Sequence, residues 1–295
     1  MQTPWGEIPV SDAHVHFFSR RFFEALAGES GQGAAGVAET AGWALPGEDP
    51  GGLAQTWAAE LERNGVAHAA LIASTPHDEG SVLAAAAVFP NRFYACAMVD
   101  PTAAEVALPP RLDMVCLFPA MHGFAVSDAS CSAVLGQAAA LGCAVFIHCG
   151  VLRVGIRQKL GLRSRFDIAH SNPLDLHPIA IRHQTIRFIV PHFGAGYLRE
   201  ALMLADLCPN VYLDTSSSNR WMRYEGLDLK TVFRRALDVA GAGRLLFGTD
   251  SSFFPRGWNY EVFEAQTRAL LDLGISSADA RLILGENLTR VLAKP

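Results

Sequence analysis

Apolar residues along this chain fall into short, nearly unbroken runs, separated by longer stretches in which apolar positions recur every three or four residues. Eight runs carry the β-branched and aromatic enrichment of strands. They are residues 11–18 (SDAHVHFF), 67–74, 92–100, 113–119, 143–150, 186–194, 210–217 and 244–252. Helical spacing falls between most of them, at 53–65, 81–89, 128–142, 174–184, 197–208 and 229–241, with a closing pair at 259–274 and 276–293. Strands apolar on both faces and fed by crossover helices predict a parallel sheet covered on both sides. Eight such units in 295 residues match an α/β (β/α)8 TIM barrel, read here as one domain over 1–295. A doubly wound open sheet is the competing architecture. Residues 101–112, which contain LPPRL, leave room for little more than one turn of helix. Two insertions stand out: a Gly/Ala-rich segment at 27–52, read as a loop after the first strand, and an Arg-rich loop at 150–173 after the fifth. Both follow the C-terminal end of a strand, the side on which barrel enzymes carry their sites.

Polar residues that interrupt the pattern then become informative. In the first strand, alternation puts His14 and His16 on one side together with Asp12, while Ala13, Val15 and Phe17 face the other. Burying such a file of polar groups is costly unless something binds them. A lone pair of histidines reads as two side chains satisfied by each other or by water. The fifth strand, however, is apolar until His148, the sixth until His192, and the eighth until Asp250. Imidazole and carboxylate groups at the ends of separate rigid strands suit Zn²⁺ or a similar divalent ion with a position left open for water.

Composition narrows the remaining choices. A net charge of −5 with 18% charged residues leaves no basic footprint for nucleic acid or an anionic membrane. Six scattered cysteines without a CxxC pair read as reduced, buried thiols, Cys149 beside His148 among them. No apolar run approaches the ~18 residues of a membrane span, and the opening residues carry no export signal pattern. A soluble, cytoplasmic protein is expected. No Ser-His-Asp order, G-x-S-x-G elbow or P-loop competes for the chemistry.

HxH on the first strand, His on the fifth and sixth, and Asp on the eighth resemble the amidohydrolase superfamily. More narrowly, the chain is similar to the amidohydrolase 2 branch that includes the aminocarboxymuconate semialdehyde decarboxylase-like proteins. The segments DAHVHFF at the start, SNPLDL (171–176), HFGAG (192–196) and ILGENLTRVL (283–292) carry the same resemblance, which spans essentially the whole chain. It implies that His14, His16, His148 and Asp250 ligate metal and that His192 sits beside it, polarising a substrate oxygen or adding a ligand. Relatives with two metals bridge them with a Lys or Glu ending the fourth strand. Leu117 and Phe118 stand there, and none of the three lysines (Lys159, Lys230, Lys294) is near, so one ion is expected, Zn²⁺ or else Mn²⁺.

The implied chemistry is attack on a C–N or C–O bond (amide, lactone or ester) of a small molecule. A bound ion lowers the pKa of its water to about 7, and Asp250 acts as base and then acid. The alternative is non-oxidative decarboxylation or hydration of an unsaturated or aromatic carboxylate. Candidate substrate contacts are His122, Arg153, Arg157, Arg163, Arg165, Arg220, Trp221 and Arg223. Phe17, Phe18, Phe253, Phe254 and Trp258 join Trp221 as either an apolar wall or loop packing. Ser216, Ser217 and Ser218 bind substrate or cap the next helix. A barrel that has lost catalysis and serves as a scaffold is the reading from another class. Oligomeric state stays open, with a homodimer among the options.

Overall fold

The computed structural model describes residues 1–294 except Arg165 and Ser218. Eight parallel strands follow one another in both sequence and space: β1 (Val10–Phe17), β2 (Val66–Ala73), β3 (Phe93–Val99), β4 (Met114–Leu117), β5 (Ala144–Ile147), β6 (Phe188–Val190), β7 (Val211–Asp214) and β8 (Leu245–Leu246). Strictly sequential order rules out the doubly wound alternative, in which the order reverses. Closure falls to the segment after β8. Ala13 N donates to Phe247 O at 2.8 Å, Asp250 N to His14 O at 3.0 Å and His16 N to Ser251 O at 2.7 Å, with one isolated bridge between Val15 and Ser251. The fold is a TIM barrel, as the hydrophobic pattern predicts. Its last strand is far shorter than the run 244–252 suggests, because that run gives its final residues to the seam and the site.

Side-chain alternation divides the core into two layers. Val15, Phe17, Leu71, Val115, Ile147, Val190 and Leu213 pack outward against helices, while Ile72, Met98, Cys116, Phe146, Ile189 and Leu246 fill the barrel. A register shift between Asp12 and Val15 sets three steps of β1 against two of β2, a bulge that resets the alternation. Ala13 consequently packs in the interior cluster. Asp12 does not share the side of the histidines. Its carboxylate accepts from Thr249 N, Thr249 Oγ1, His14 N and, at 2.7 Å, Trp258 Nε1.

Residues 27–52 are not the loop expected from their Gly and Ala content. The end of helix α1 (Arg20–Ser30), all of α2 (Ala34–Ala41) and the start of α3 (Pro50–Arg63) lie within the segment. Gly31 and Gly42 end the first two in the left-handed conformation, each at φ 71°. Phe22, Phe23 and Leu26 of α1 and Val37, Ala38 and Ala41 of α2 then find a shared apolar face. That face is completed by Ile156 from the segment after β5, where residues Gly155–Lys159 form a short helix, α4. Two ties hold the halves together: Arg157 Nη1 and Nη2 donate to Glu29 Oε1 and Oε2 at 2.8 Å each, and Lys159 Nζ donates to Ala41 O at 3.2 Å. The insertions thus form a roof with its own small core over the C-terminal end of the barrel. Between β3 and β4, residues 101–112 contain no helix, in keeping with their prolines. Among the described residues, no helix is long and apolar enough to cross a membrane.

Candidate metal centre

His14 and His16 point into the barrel mouth, and neighbouring strands dictate which nitrogen each presents. His14 Nδ1 donates to Asp214 Oδ2 at 2.7 Å. Ser74 Oγ gives its proton to Ile72 O at 3.0 Å, so it accepts from His16 Nδ1 at 2.7 Å. Both Nε2 atoms are left as bare lone pairs, and they face each other at 3.3 Å. Asp250 Oδ1 joins them, 3.2 Å from His16 Nε2 and 3.7 Å from His14 Nε2. With both rings neutral, three acceptors converge, a donor set that fits a divalent cation.

Asp250 reaches this position through a left-handed backbone, φ 59°, and His192 through φ 54°. Non-glycine residues adopt this region rarely, and such strain gathers at functional sites. His192 Nδ1 donates to Ser216 O at 3.1 Å, so its Nε2 also faces inward bare. Its ring centroid lies 5.0 Å from that of His14 and 5.4 Å from that of His148. His148 is not among the three residues whose ligand atoms lie within 4.8 Å of one another. It is 3% exposed and stacks on Phe118 at 5.5 Å. Its Nδ1 is buried with no hydrogen-bond partner among the described residues, an unmade bond that a ligated ion would supply.

Charge and burial act in opposition here. Burial alone would raise the Asp250 carboxyl, but the imidazoles of His16, His14 and His192 around it outweigh that and hold the carboxyl at about 2. Burial pulls the His14 ring down, yet the charge and hydrogen bond of Asp214 leave it above its ordinary value. Burial keeps His16, His192 and, most strongly, His148 below theirs, so those rings are neutral and available as ligands. Burial likewise raises the Cys149 thiol, in keeping with a buried thiol without a role in the chemistry.

A cavity of about 850 Å³ opens over this centre. Of the residues singled out from sequence, His122, Arg153, Arg157, Arg220, Trp221 and Arg223 line it, as do Phe18 and Phe253. Arg153, Arg220 and Arg223 are exposed at the rim. Arg157 is already committed to Glu29. Arg163 borders a smaller pocket beside that ion pair. Arg165 and Ser218 lie outside the described residues. Phe17, Phe254 and Trp258 belong to the packing of the outer core, while Phe18, Trp43 and Phe253 stack face to face along the cavity at centroid distances of 5.4 and 4.5 Å. Ser216 neither caps a helix nor faces the cavity; it is buried against Asp214 and His14. Phe118 fills the place where a bridging carboxylate or lysine would end the fourth strand, and Lys159, which does line the cavity, spends its ammonium on Ala41 O.

Asp214, Ser74 and Trp43 are absent from the sequence reading. Asp214 ends an apolar strand just as His148 and Asp250 do, so the same rule finds it. Ser74 and Trp43 follow no pattern visible before folding.

A family model described as amidohydrolase matches residues 11–294. Among curated proteins, Protein fluG of Emericella nidulans is 32% identical over 89 residues, so the match spans 30% of this chain and only 10% of that protein's length. Three solved structures share the barrel. An amidohydrolase of Burkholderia multivorans with bound zinc has a TM-score of 0.59 at 16% identity, over 97% of this chain and 99% of its own. A probable 2-pyrone-4,6-dicarboxylic acid hydrolase of Acinetobacter baumannii has 0.61 at 15%, over 97% and 99%. A 5-carboxyvanillate decarboxylase of Novosphingobium aromaticivorans, complexed with manganese, has 0.61 at 13%, over 99% of each chain. At these identities the likeness is one of fold, whereas the family match covers the strands, the roof and every residue of the centre: the chain belongs to the amidohydrolase family, whose members are metal-dependent hydrolases and decarboxylases.

Proposed function

We propose that this chain hydrolyses a C–N or C–O bond of an anionic, ring-containing small molecule, with one divalent ion, Zn²⁺ or else Mn²⁺, held by His14, His16, Asp250 and His148. The observation that carries the reading is the convergence of two bare imidazole nitrogens and a carboxylate oxygen within 3.7 Å at the floor of the cavity. A divalent ion there supplies Lewis-acid polarisation and an activated water.

The chain's own residues supply the rest. Asp250, ionised down to about pH 2, gives the ion an anionic partner and a second oxygen that can take up a proton in passing. His192, with its Nδ1 proton committed to Ser216, presents an acceptor. In its neutral form it takes a proton from a neighbour, and it donates to a substrate oxygen only once protonated, a narrower role than oxyanion stabilisation. The stacked rings of Phe18, Trp43 and Phe253 offer an apolar wall, and Arg153, Arg220 and Arg223 give a basic rim in a chain of net charge −5. That rim favours an anionic substrate and supports a second reading, release of CO₂ from a carboxylated ring.

Metal content and turnover decide the matter together. Purified protein should contain close to one ion per chain, lose hydrolysis of a lactone, ester and amide panel after chelation, and recover it with Zn²⁺ or Mn²⁺. Undiminished hydrolysis without metal would end the proposal. CO₂ release from carboxylated phenols, with no hydrolysis of the panel, would replace it by the second reading.

A further inference from the structure

Behind His14, away from the cavity lining, Asp214 ends β7 with 1% of its side chain exposed. Its Oδ1 accepts from Ser216 N at 2.6 Å, and its Oδ2 accepts from Ser216 Oγ at 2.9 Å and His14 Nδ1 at 2.7 Å. Ser216 Oγ in turn lies 3.0 Å from Nδ1 of both His14 and His192. The carboxylate thus receives the outward N–H of His14, while that of His192 is shared between the carbonyl and the hydroxyl of Ser216, and the other nitrogen of each ring faces the centre. Space for this arrangement comes from β8's flank. A Cβ at Gly248 would stand 2.7 Å from Asp214 Oδ1, 2.9 Å from Ser216 Cβ and 3.0 Å from His14 Cβ.

We propose that Asp214 is a positioning residue of the metal centre, acting on His14 directly and on His192 through Ser216, and that its charge completes the neutralisation of the bound ion. The proposal rests on the reading that His14, His16 and Asp250 hold a divalent cation. Neutral imidazoles and one carboxylate leave a buried dication with a net charge of one, which is costly in a poorly solvated interior. Asp214 supplies the missing negative charge at one bond's remove. A carboxylate accepting from Nδ1–H also makes the opposite ring nitrogen a better donor to a metal, and holds it in the ligating tautomer. An alternative role, a strand-end turn in which Asp214 merely accepts from Ser216 N, needs neither the His14 contact nor the gap at Gly248.

The test titrates Zn²⁺ alone into metal-free full-length protein against a chromophoric chelator. Asp214→Asn keeps the size and one acceptor but loses the charge. Its zinc affinity should fall about 10- to 100-fold, with far-UV circular dichroism unchanged, and Ser216→Ala should show a smaller loss. Unchanged zinc affinity in folded Asp214→Asn overturns the proposal, whatever happens to its thermal stability. Should that variant not fold, Gly248→Ala serves instead: its methyl displaces Asp214 from His14, and wild-type affinity there is equally fatal. If the wild-type chain itself takes up no zinc, the metal reading fails separately, and ring ¹⁵N spectra of the metal-free protein at mildly alkaline pH decide this one. A proton on His14 Nδ1 that moves to Nε2 in Asp214→Asn supports it; a proton already on Nε2 in the wild type refutes it.

Discussion

A histidine is made ready for a metal when something else takes its other nitrogen, and for His14 and His16 those partners come from distant strands. Asp214 serves His14, and Ser74 serves His16. The HxH pair was legible because period-two spacing on an apolar strand needs only two residues to be seen. Asp214 carries the same strand-end signal, but which ring it or Ser74 serves was not legible, because a hydrogen bond between strands leaves no local trace. Replacing His16 by alanine removes one of three convergent atoms, so bound zinc measured by mass spectrometry should drop from stoichiometric to trace and turnover should fall with it. Asp12 makes a prediction of a different kind. Burial raises its carboxyl to about 6 despite the donors from Thr249, His14 and Trp258. The folded chain therefore binds a proton between about pH 4 and 6 that the unfolded chain has already released. Stability from this group is full below pH 4 and lost as pH rises through 6, by about 3 kcal/mol over the interval. Asp12→Asn should remove that slope from urea unfolding measured across the range.

At the scale of elements, the eight strands showed in the sequence because parallel strands are buried on both faces and read as continuous apolar runs. The bulge in β1 did not, since a single extra residue leaves composition unaltered, yet it turns Asp12 outward and Ala13 inward. Helices α1 and α2 were hidden for another reason: their apolar faces are short and diluted by Ala and Gly, and they are completed by Ile156 from far along the chain. This roof carries Trp43 between Phe18 and Phe253. Aromatic stacking contributes about 0.5–1.5 kcal/mol beyond area burial. Trp43→Ala should therefore raise KM for a ring-containing substrate about 2- to 12-fold and leave kcat nearly unchanged, as steady-state kinetics will show. An equal fall in kcat would place Trp43 in the reaction itself.

For the molecule as a whole, ligation and stability are linked. An ion present at a hundred times its dissociation constant stabilises the fold by about 2.7 kcal/mol, which corresponds to about 5 °C in the melting temperature of a domain this large. Chelation should lower Tm by that order in calorimetry, and added Zn²⁺ should restore it. Protons compete for the same site. Asp214 keeps the His14 ring above its ordinary value, so in the ion-free chain that ring holds its proton to a higher pH than usual. Zinc uptake should release protons, and its affinity should weaken as pH falls through the histidine range; calorimetry in buffers of different ionisation heat reads both.

The seam between β1 and the segment after β8 is where the barrel shuts, and its hydrogen bonds run through His14, His16 and Asp250 themselves. Asp250 follows all eight strands in the chain, so the place for the cation is complete only once this seam has formed. A truncation stopping short of Asp250 would therefore forfeit a carboxylate of the centre and the closure of the barrel together.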